Sequence, residues 1–170
     1  MGKLKRFLKH LAAGRWQVTR YFPSSTMRAI EKAIHDSEHL HGGELRFVVE
    51  AGLEWQELLR RVSPRARAVE VFSQLRVWDT EHNSGVLIYL LLADRDVEIV
   101  ADRGIHARVG EAAWKKICHE METRFRQGEF EPGVIEGVAA ITVLLKQHFP
   151  TRGADNPNEI SDAAVILPLP

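Results

Sequence analysis

The sequence predicts an α/β fold, a three-layer α/β/α sandwich built on a small mixed β-sheet. Its longest apolar run, Val86–Ala93, is followed within three residues by a second β-forming run, Val97–Ala101. The first run is apolar on both of its faces, which is typical of a strand covered by helices on both sides. Segments of helical periodicity before and after the two runs supply the covering layers.

Composition sets the broad class. The chain has 170 residues, of which 45% are apolar and 27% charged, as in a globular domain of ordinary size. Its 23 basic residues balance 23 acidic ones, which argues against a general nucleic-acid binder. The single cysteine excludes a disulfide framework and a cysteine-based zinc site. No apolar run approaches the roughly 20 residues of a membrane span, and no signal peptide is recognised, so we expect a soluble, cytoplasmic protein.

Three parts of the chain are expected: a basic amphipathic segment (1–22), the α/β/α domain (23–150) and a surface tail (151–170). In the first part, apolar residues recur at helical spacing between lysines and an arginine, namely Leu4, Phe7, Leu8 and Leu11 among Lys3, Lys5, Arg6 and Lys9. This helix is either a weak attachment to an anionic membrane surface or a partner, or a terminal helix docked on the body or frayed in solvent.

The domain begins with a helix that Ser24 or Ser25 caps and that Gly42-Gly43 ends. The strand Glu44–Glu50 follows, with Leu45, Phe47 and Val49 on one face. The segment Leu53–Arg61 is expected to be helical. A longer helix then starts at Pro64, capped by Ser63.

A polar loop, Asp79–Ser84, leads into the central strand at Gly85. Asp94-Arg95 is predicted to be a two-residue hairpin turn, which makes the second and third strands antiparallel neighbours. After Gly104 we expect a connection, a helix from Gly110 or Glu111 to Gln127, and a last helix from Pro132 to about His148. A fourth edge strand would come from a segment that the pattern does not locate.

Oxygen-bearing side chains are predicted to meet at one end of this hairpin. Asp79 and Asn83 precede the central strand, while Asp102 and Glu111 follow the strand that runs the opposite way. Carboxylate and amide oxygens suit hard cations, so these four residues predict a Ca²⁺ or Mg²⁺ site. Ordinary turn and capping chemistry is the other interpretation of the same residues.

Two further features of the sequence bear on chemistry. His35, Glu38 and His39 match a His-x-x-Glu-His zinc-peptidase pattern, with the two histidines on one helical face. The same histidines at a helix end also fit a solvated surface or, with His41, fortuitous transition-metal binding. Cys118 lies on the apolar stripe of its helix and is predicted to be a buried, inert thiol.

The hairpin and its flanks, residues 83–90, 94–100 and 102–111, resemble the TPM domain family, and the likeness extends from about Ser24 to Phe149. The family is named for a thylakoid-lumen phosphatase and a receptor accessory protein, and the chain is most similar to its soluble bacterial branch. The resemblance implies a small mixed sheet between helices. The family's Asn-Gly loop maps onto Asn83 and Gly85, an acidic position maps onto Glu111, and His106 stands where the family has a carboxylate.

For function, the resemblance implies several roles proposed within the family: metal-linked phosphatase activity, divalent-cation binding and partner assembly, including beside membrane proteins of the LemA type. We therefore expect a non-catalytic binding or accessory module with a divalent-cation site at the loop end of the sheet. One alternative is a divalent-cation-dependent phosphatase. Another is an assembly factor peripheral to the inner membrane, attached through Leu4–Leu11.

Overall fold

The computed structural model describes residues 3–151 and 158–168 of the chain. The helices are α1 (Lys3–Ala12), α2 (Arg15–Tyr21), α3 (Ser24–Glu38), α4 (Trp55–Leu59), α5 (Pro64–Gln74), α6 (Arg103–Val109), α7 (Glu111–Arg126) and α8 (Phe130–His148). The strands are β1 (Glu44–Glu50), β2 (Gly85–Leu91), β3 (Asp96–Ala101) and β4 (Val165–Leu167).

The strands form one mixed sheet in the order β3-β2-β1-β4. β2 runs parallel to β1 and antiparallel to β3, as the hairpin predicted. The fourth strand, which the sequence pattern did not locate, lies in the tail: β4 pairs parallel with the C-terminal half of β1, from Val48↔Val165 to Glu50↔Leu167. Residues 152–157 and 169–170 of the predicted tail lie outside the described residues.

Helices cover both faces of the sheet, which confirms the predicted three-layer α/β/α sandwich. Alternate residues of β1 and β2 belong to different cores, because neighbouring side chains of a strand point to opposite faces. On one face, Leu45, Phe47 and Val49 pack with α3, α7 and α8. On the other face, Val48 and Tyr89 pack with α5 and with Ile160 of the tail. Every residue of β2 is buried, as its two apolar faces predicted.

Most helix predictions are confirmed, and the differences have local causes. Ser63 caps α5 by accepting the N–H of Ala66. α8 starts two residues before Pro132. The helix tolerates this proline because backbone N–H groups in the first helical turn have no intrahelical partner to lose. The segment after Gly104, expected to be an irregular connection, is the helix α6, for which Asp102 is the N-cap. The short helix α2 was also missed.

The β2–β3 connection is longer than the two-residue turn that Asp94-Arg95 predicted. β2 ends at Leu91 and β3 begins at Asp96, so four residues connect them. The connection is longer because the residues after Leu91 bond to β1 instead of continuing the pairing with β3. The backbone N–H groups of Leu92 and Ala93 donate to the carbonyls of Glu50 and Ala51, at the end of β1.

Candidate functional site

One end of the sheet gathers the loops that the sequence singled out. Because β1 and β2 are parallel and β3 is antiparallel to β2, the starts of β1 and β2 lie beside the end of β3. The N–H of Glu44 donates to the Ser84 carbonyl at 3.0 Å, and that of Asp102 donates to the Gly85 carbonyl at 2.9 Å. Gly104 lies against Asn83: a Cβ atom at Gly104 would be 2.7 Å from the Asn83 carbonyl oxygen. The Asn83 and Asp102 segments are therefore neighbours.

Asp102 is the buried member of the predicted cation set, with 7% of its surface exposed. Its Oδ1 accepts the Arg103 N–H at 2.6 Å and so caps α6. Its Oδ2 is buried and has no hydrogen-bond donor among the described residues. The same is true of Oγ of Ser84, a residue that the sequence reasoning left out. Buried oxygens without a donor are uncommon in folded proteins, which makes this pair of atoms the chemically unusual part of the loop end.

The other three residues of the predicted set are exposed. Asp79 and Asn83 lie on the surface of the loop before β2. Glu111 is in the first turn of α7, where its carboxylate lies 2.6 Å from Lys115 Nζ, and this lysine lowers the pKa of Glu111. Within residues 3–151 and 158–168, no group of three or more His, Cys, Asp or Glu side chains is placed to hold a metal ion. Asp79, Asp102 and Glu111 are therefore not gathered into a ligand set.

A second polar cluster lies where α3, β1 and the tail meet, and the sequence did not predict it. Glu38 is buried and accepts the Leu45 N–H at 2.9 Å, while Glu44 is buried and accepts the Ile160 N–H at 3.2 Å. Burial, together with neighbouring acidic groups, raises the pKa of Glu38 to about 9 and that of Glu44 to about 7. Asp162 of the tail completes the cluster and contacts His35. No sequence signal pairs the tail with α3, because that contact spans 127 positions.

A third polar site anchors α1 to the turn between β2 and β3. Asp94 Oδ2 lies 2.8 Å from Arg6 Nε and 3.1 Å from His10 Nε2. The Leu53 N–H donates to Nδ1 of the buried His10 at 3.0 Å. Burial alone would raise the pKa of Asp94, but its hydrogen bonds from His10 and Arg6 lower it. Asp94, which the sequence indicated only as a turn residue, is therefore an anchor for α1.

Two remaining observations concern reactivity and membrane spans. Burial raises the pKa of the Cys118 thiol to about 12, so little thiolate forms near neutral pH, in line with the inert thiol predicted. None of the helices in the described part of the chain has both the length and the apolar content needed to cross a bilayer.

The chain is similar to known proteins both in sequence and in fold. The sequence matches the family model for the TPM domain over residues 18–144. The NMR structure of the BA42 protein from the psychrophilic bacterium Bizionia argentinensis is similar, with a TM-score of 0.74 and 28% identity over 84% of this chain and 93% of that one. The N-terminal domain of a P. gingivalis protein shares the fold, with a TM-score of 0.51 and 21% identity over 76% of each chain. No functionally curated protein matches the sequence.

Proposed function

The chain belongs to the TPM domain family, and on that premise we propose that it is a non-catalytic accessory module that works at an anionic membrane surface. The observation that carries the proposal is the apolar side of α1, which faces solvent. Leu4, Leu8 and Leu11 are 71%, 56% and 54% exposed. These residues lie at i, i+4 and i+7, so they form one stripe along the helix.

The exposure of this stripe is a consequence of how α1 is docked. Arg6 and the buried His10 hold the helix through Asp94, and Phe7 is half-buried. Arg6 and His10 lie on the side of α1 opposite the leucine stripe and fix the rotation of the helix. A terminal helix that docked only for stability would turn its leucines inward. Here the inward side is mostly polar and the leucines are presented outward.

Neighbouring residues extend the apolar surface. Leu4 and Phe7 line a groove together with Leu58 and Leu59 of α4, and Leu59 is itself exposed. Trp55 at the start of α4 and Trp16 in α2 are also exposed. Leucine and tryptophan side chains are those that enter the headgroup region of a bilayer most readily.

Charge identifies the kind of membrane. The first 30 residues contain seven of the 23 basic residues and none of the 23 acidic ones, so +7 there is balanced by −7 over the rest of the chain. Lys5 and Lys9 of α1 and Arg15 and Arg20 of α2 are exposed. A lysine or arginine near an anionic surface contributes about 1 kcal/mol of attraction. The leucine stripe among basic residues therefore fits anionic lipids.

Co-sedimentation of the full chain with lipid vesicles tests this proposal. We expect binding to phosphatidylserine-containing vesicles that is weakened by salt, and little binding to phosphatidylcholine alone. Leu8→Gln should weaken binding by roughly fivefold, because a half-exposed leucine gives up about 1 kcal/mol of burial. Lys5→Gln combined with Lys9→Gln should weaken it by roughly 30-fold.

Matched controls are Val143→Gln, an exposed apolar residue on α8, and Lys115→Gln combined with Lys116→Gln on α7. Equal pelleting with both lipids, or equal losses in the variants and their controls, would refute the proposal. The resemblance also implies a membrane-protein partner of the LemA type. Vesicles that contain no other protein distinguish lipid docking from binding to such a partner. If the chain binds only when the partner is present in the vesicles, lipid docking is contradicted.

A second candidate function is divalent-cation binding at the loop end of the sheet. The observation in its favour is the pair of buried oxygens without donors, Asp102 Oδ2 and Ser84 Oγ, beside the exposed Asn83. Hard cations such as Ca²⁺ and Mg²⁺ bind oxygen ligands of these types and keep water in the remaining positions. Asp79 and Glu111 would contribute only through a rearrangement of the exposed loop and of α7.

Titration of metal-stripped protein with Ca²⁺ and with Mg²⁺, followed by amide NMR, tests this candidate. We expect saturable amide shifts over residues 80–85 and 102–104. Asp102→Asn should weaken the metal affinity by more than tenfold, and Glu120→Gln should leave the affinity unchanged. A lack of shifts with either metal would exclude the site. The phosphatase alternative makes a further demand: the loaded protein must hydrolyse a phosphomonoester, and Asp102→Asn must abolish that hydrolysis.

A further inference from the structure

The last turn of α3 presents two histidines side by side. His35 and His39 are four residues apart, so both rings project from the same side of the helix, and both are exposed. Their Nε2 atoms are 3.3 Å apart. The ring planes are at 82° to each other, with centroids 4.7 Å apart. The two rings therefore meet at their Nε2 edges.

Asp162 sets the tautomer of the first ring. Its Oδ2 lies 2.9 Å from His35 Nδ1, and its Oδ1 accepts a hydrogen bond from the Asn158 side chain. A carboxylate oxygen accepts hydrogen bonds, so the His35 proton is on Nδ1. The neutral ring then carries its lone pair on Nε2, at the edge that faces His39. A carboxylate on the far nitrogen is the arrangement that orients histidine ligands in metal sites.

The separation of the two nitrogens fits a shared metal ion. Two imidazole nitrogens bound to Zn²⁺ at about 2.0–2.1 Å, with a tetrahedral angle between them, are about 3.3 Å apart. The observed Nε2–Nε2 distance is 3.3 Å. Histidine nitrogens favour Zn²⁺, Ni²⁺ and Cu²⁺, whereas Ca²⁺ and Mg²⁺ prefer oxygen ligands.

We propose that His35 and His39 form an open binding site for a divalent transition-metal ion, with Asp162 as the residue that positions His35. Within the described residues no third His, Cys, Asp or Glu joins them. Water or a ligand from a partner therefore fills the remaining coordination positions. The site is separate from the loop-end cation candidate and from α1, and it does not depend on either.

The same geometry excludes peptide hydrolysis of the kind that the His-x-x-Glu-His pattern suggested. That chemistry needs Glu38 as a base beside the metal-bound water. Glu38 is buried, and its Oε1 accepts the Leu45 N–H at 2.9 Å. The Glu38 carboxyl is thus held by the backbone at the start of β1, inside the protein. The site would hold a metal ion without hydrolysing a peptide.

Binding should also strengthen the attachment of the tail, because Asp162 belongs to the tail and the histidines belong to α3. A ligand that binds only the folded protein raises its stability with ligand concentration. We therefore expect the thermal midpoint to rise as Zn²⁺ is added.

Isothermal titration of the untagged full chain with ZnCl₂ and with NiCl₂ tests the proposal, alongside NMR of the histidine ring protons. We expect one saturable site that His39→Ala removes. Asp162→Asn should weaken it by 10- to 100-fold, since loss of a positioning carboxylate has an effect of that size. His119→Ala, which removes an exposed histidine of α7, is the matched control and should bind as the wild type does.

Far-UV circular dichroism of each variant establishes that it is folded. Zn²⁺ affinity that is the same in the wild type and in folded His39→Ala would overturn the proposal. Shifts of the His35 and His39 rings that depend on pH but not on Zn²⁺ or Ni²⁺ would also overturn it. In that case the 3.3 Å contact would be only a hydrogen bond between the rings.

Discussion

At the scale of single residues, Glu50 is a buried polar group that holds several hydrogen bonds. Its side chain is 4% exposed and accepts two hydrogen bonds from Arg67, at 2.9 and 3.0 Å, and one from the Tyr89 hydroxyl. The Arg67 side chain is itself only 13% exposed, and no local sequence pattern indicates that it is buried. The partner that buries it comes from β1, 17 residues earlier.

Arg67→Ala is expected to destabilise the protein by about 3–5 kcal/mol, because it leaves the Glu50 charge buried without its cation. Urea unfolding followed by circular dichroism measures the loss. Arg126→Ala is the control: Arg126 pairs with Glu122 at 3.4 Å on an exposed helix face, and such pairs contribute about 0–1 kcal/mol. Similar losses in the two variants would contradict a buried ion pair.

At the scale of secondary-structure elements, the loop between α5 and β2 is set by a close backbone contact. A Cβ atom at Gly85 would lie 1.8 Å from the Val77 carbonyl oxygen. Gly85 cannot move away, because it pairs with Glu44 of β1 and its carbonyl accepts the Asp102 N–H. The Asn83-Ser84-Gly85 motif that carries the family resemblance therefore has a steric role, whatever it binds.

Gly85→Ala is expected to cost about 3 kcal/mol or more, since backbone would have to shift at the start of the central strand. Thermal unfolding of purified protein, or failure of the variant to fold, is the measurement. Gly42→Ala is the matched control, because the nearest atoms to its added Cβ are 3.8 Å away, an ordinary contact distance. A Gly85→Ala protein as stable as the control would show that the loop adjusts freely.

At the scale of the whole molecule, the tail joins the domain through a buried carboxyl group. Glu44 at the start of β1 accepts the Ile160 N–H, β4 pairs with the other end of β1, and Ile160 packs in the core beside α5. The tail thus closes one edge of the sheet. Burial, with Glu159 and Asp162 nearby, raises the pKa of Glu44 to about 7.

This pKa predicts how stability depends on pH. The unfolded Glu44 loses its proton near pH 4.5, whereas the folded one keeps its proton until about pH 7. The contribution of the protonated group to the stability of the fold is therefore complete below pH 4.5 and is lost as the pH rises to 7. The loss is on the order of 3 kcal/mol. We expect Glu44→Gln to be more stable than the wild type at pH 8, with the advantage shrinking toward pH 5.

Urea unfolding of both proteins across this pH range measures the difference between them, which separates Glu44 from other buried groups that titrate there. Glu120→Gln, a change in an exposed carboxylate of α7, should leave the pH profile unchanged. A wild-type and a Glu44→Gln profile that run parallel would contradict the buried, protonated carboxyl group.

The sequence by itself determined what depends on local pattern. Periodicity and caps predicted most helices, two-sided apolarity predicted the buried strand β2, and the hairpin motif indicated the family. It did not determine contacts made across long separations. β4, Asp94 under α1, and Asp162 beside His35 each depend on a partner 80 or more positions away, and no local propensity encodes such a partner.

The tertiary structure also decided which predicted residues come together. It brought the Asn83 and Asp102 segments side by side, left Asp79 and Glu111 exposed, and buried Asp102 Oδ2 with no donor among the described residues. It turned the leucines of α1 outward, because His10 and Arg6 bind Asp94 on the opposite side. Amphipathic spacing predicts that a helix has an apolar side, but only the polar contacts of the folded chain decide which way that side faces.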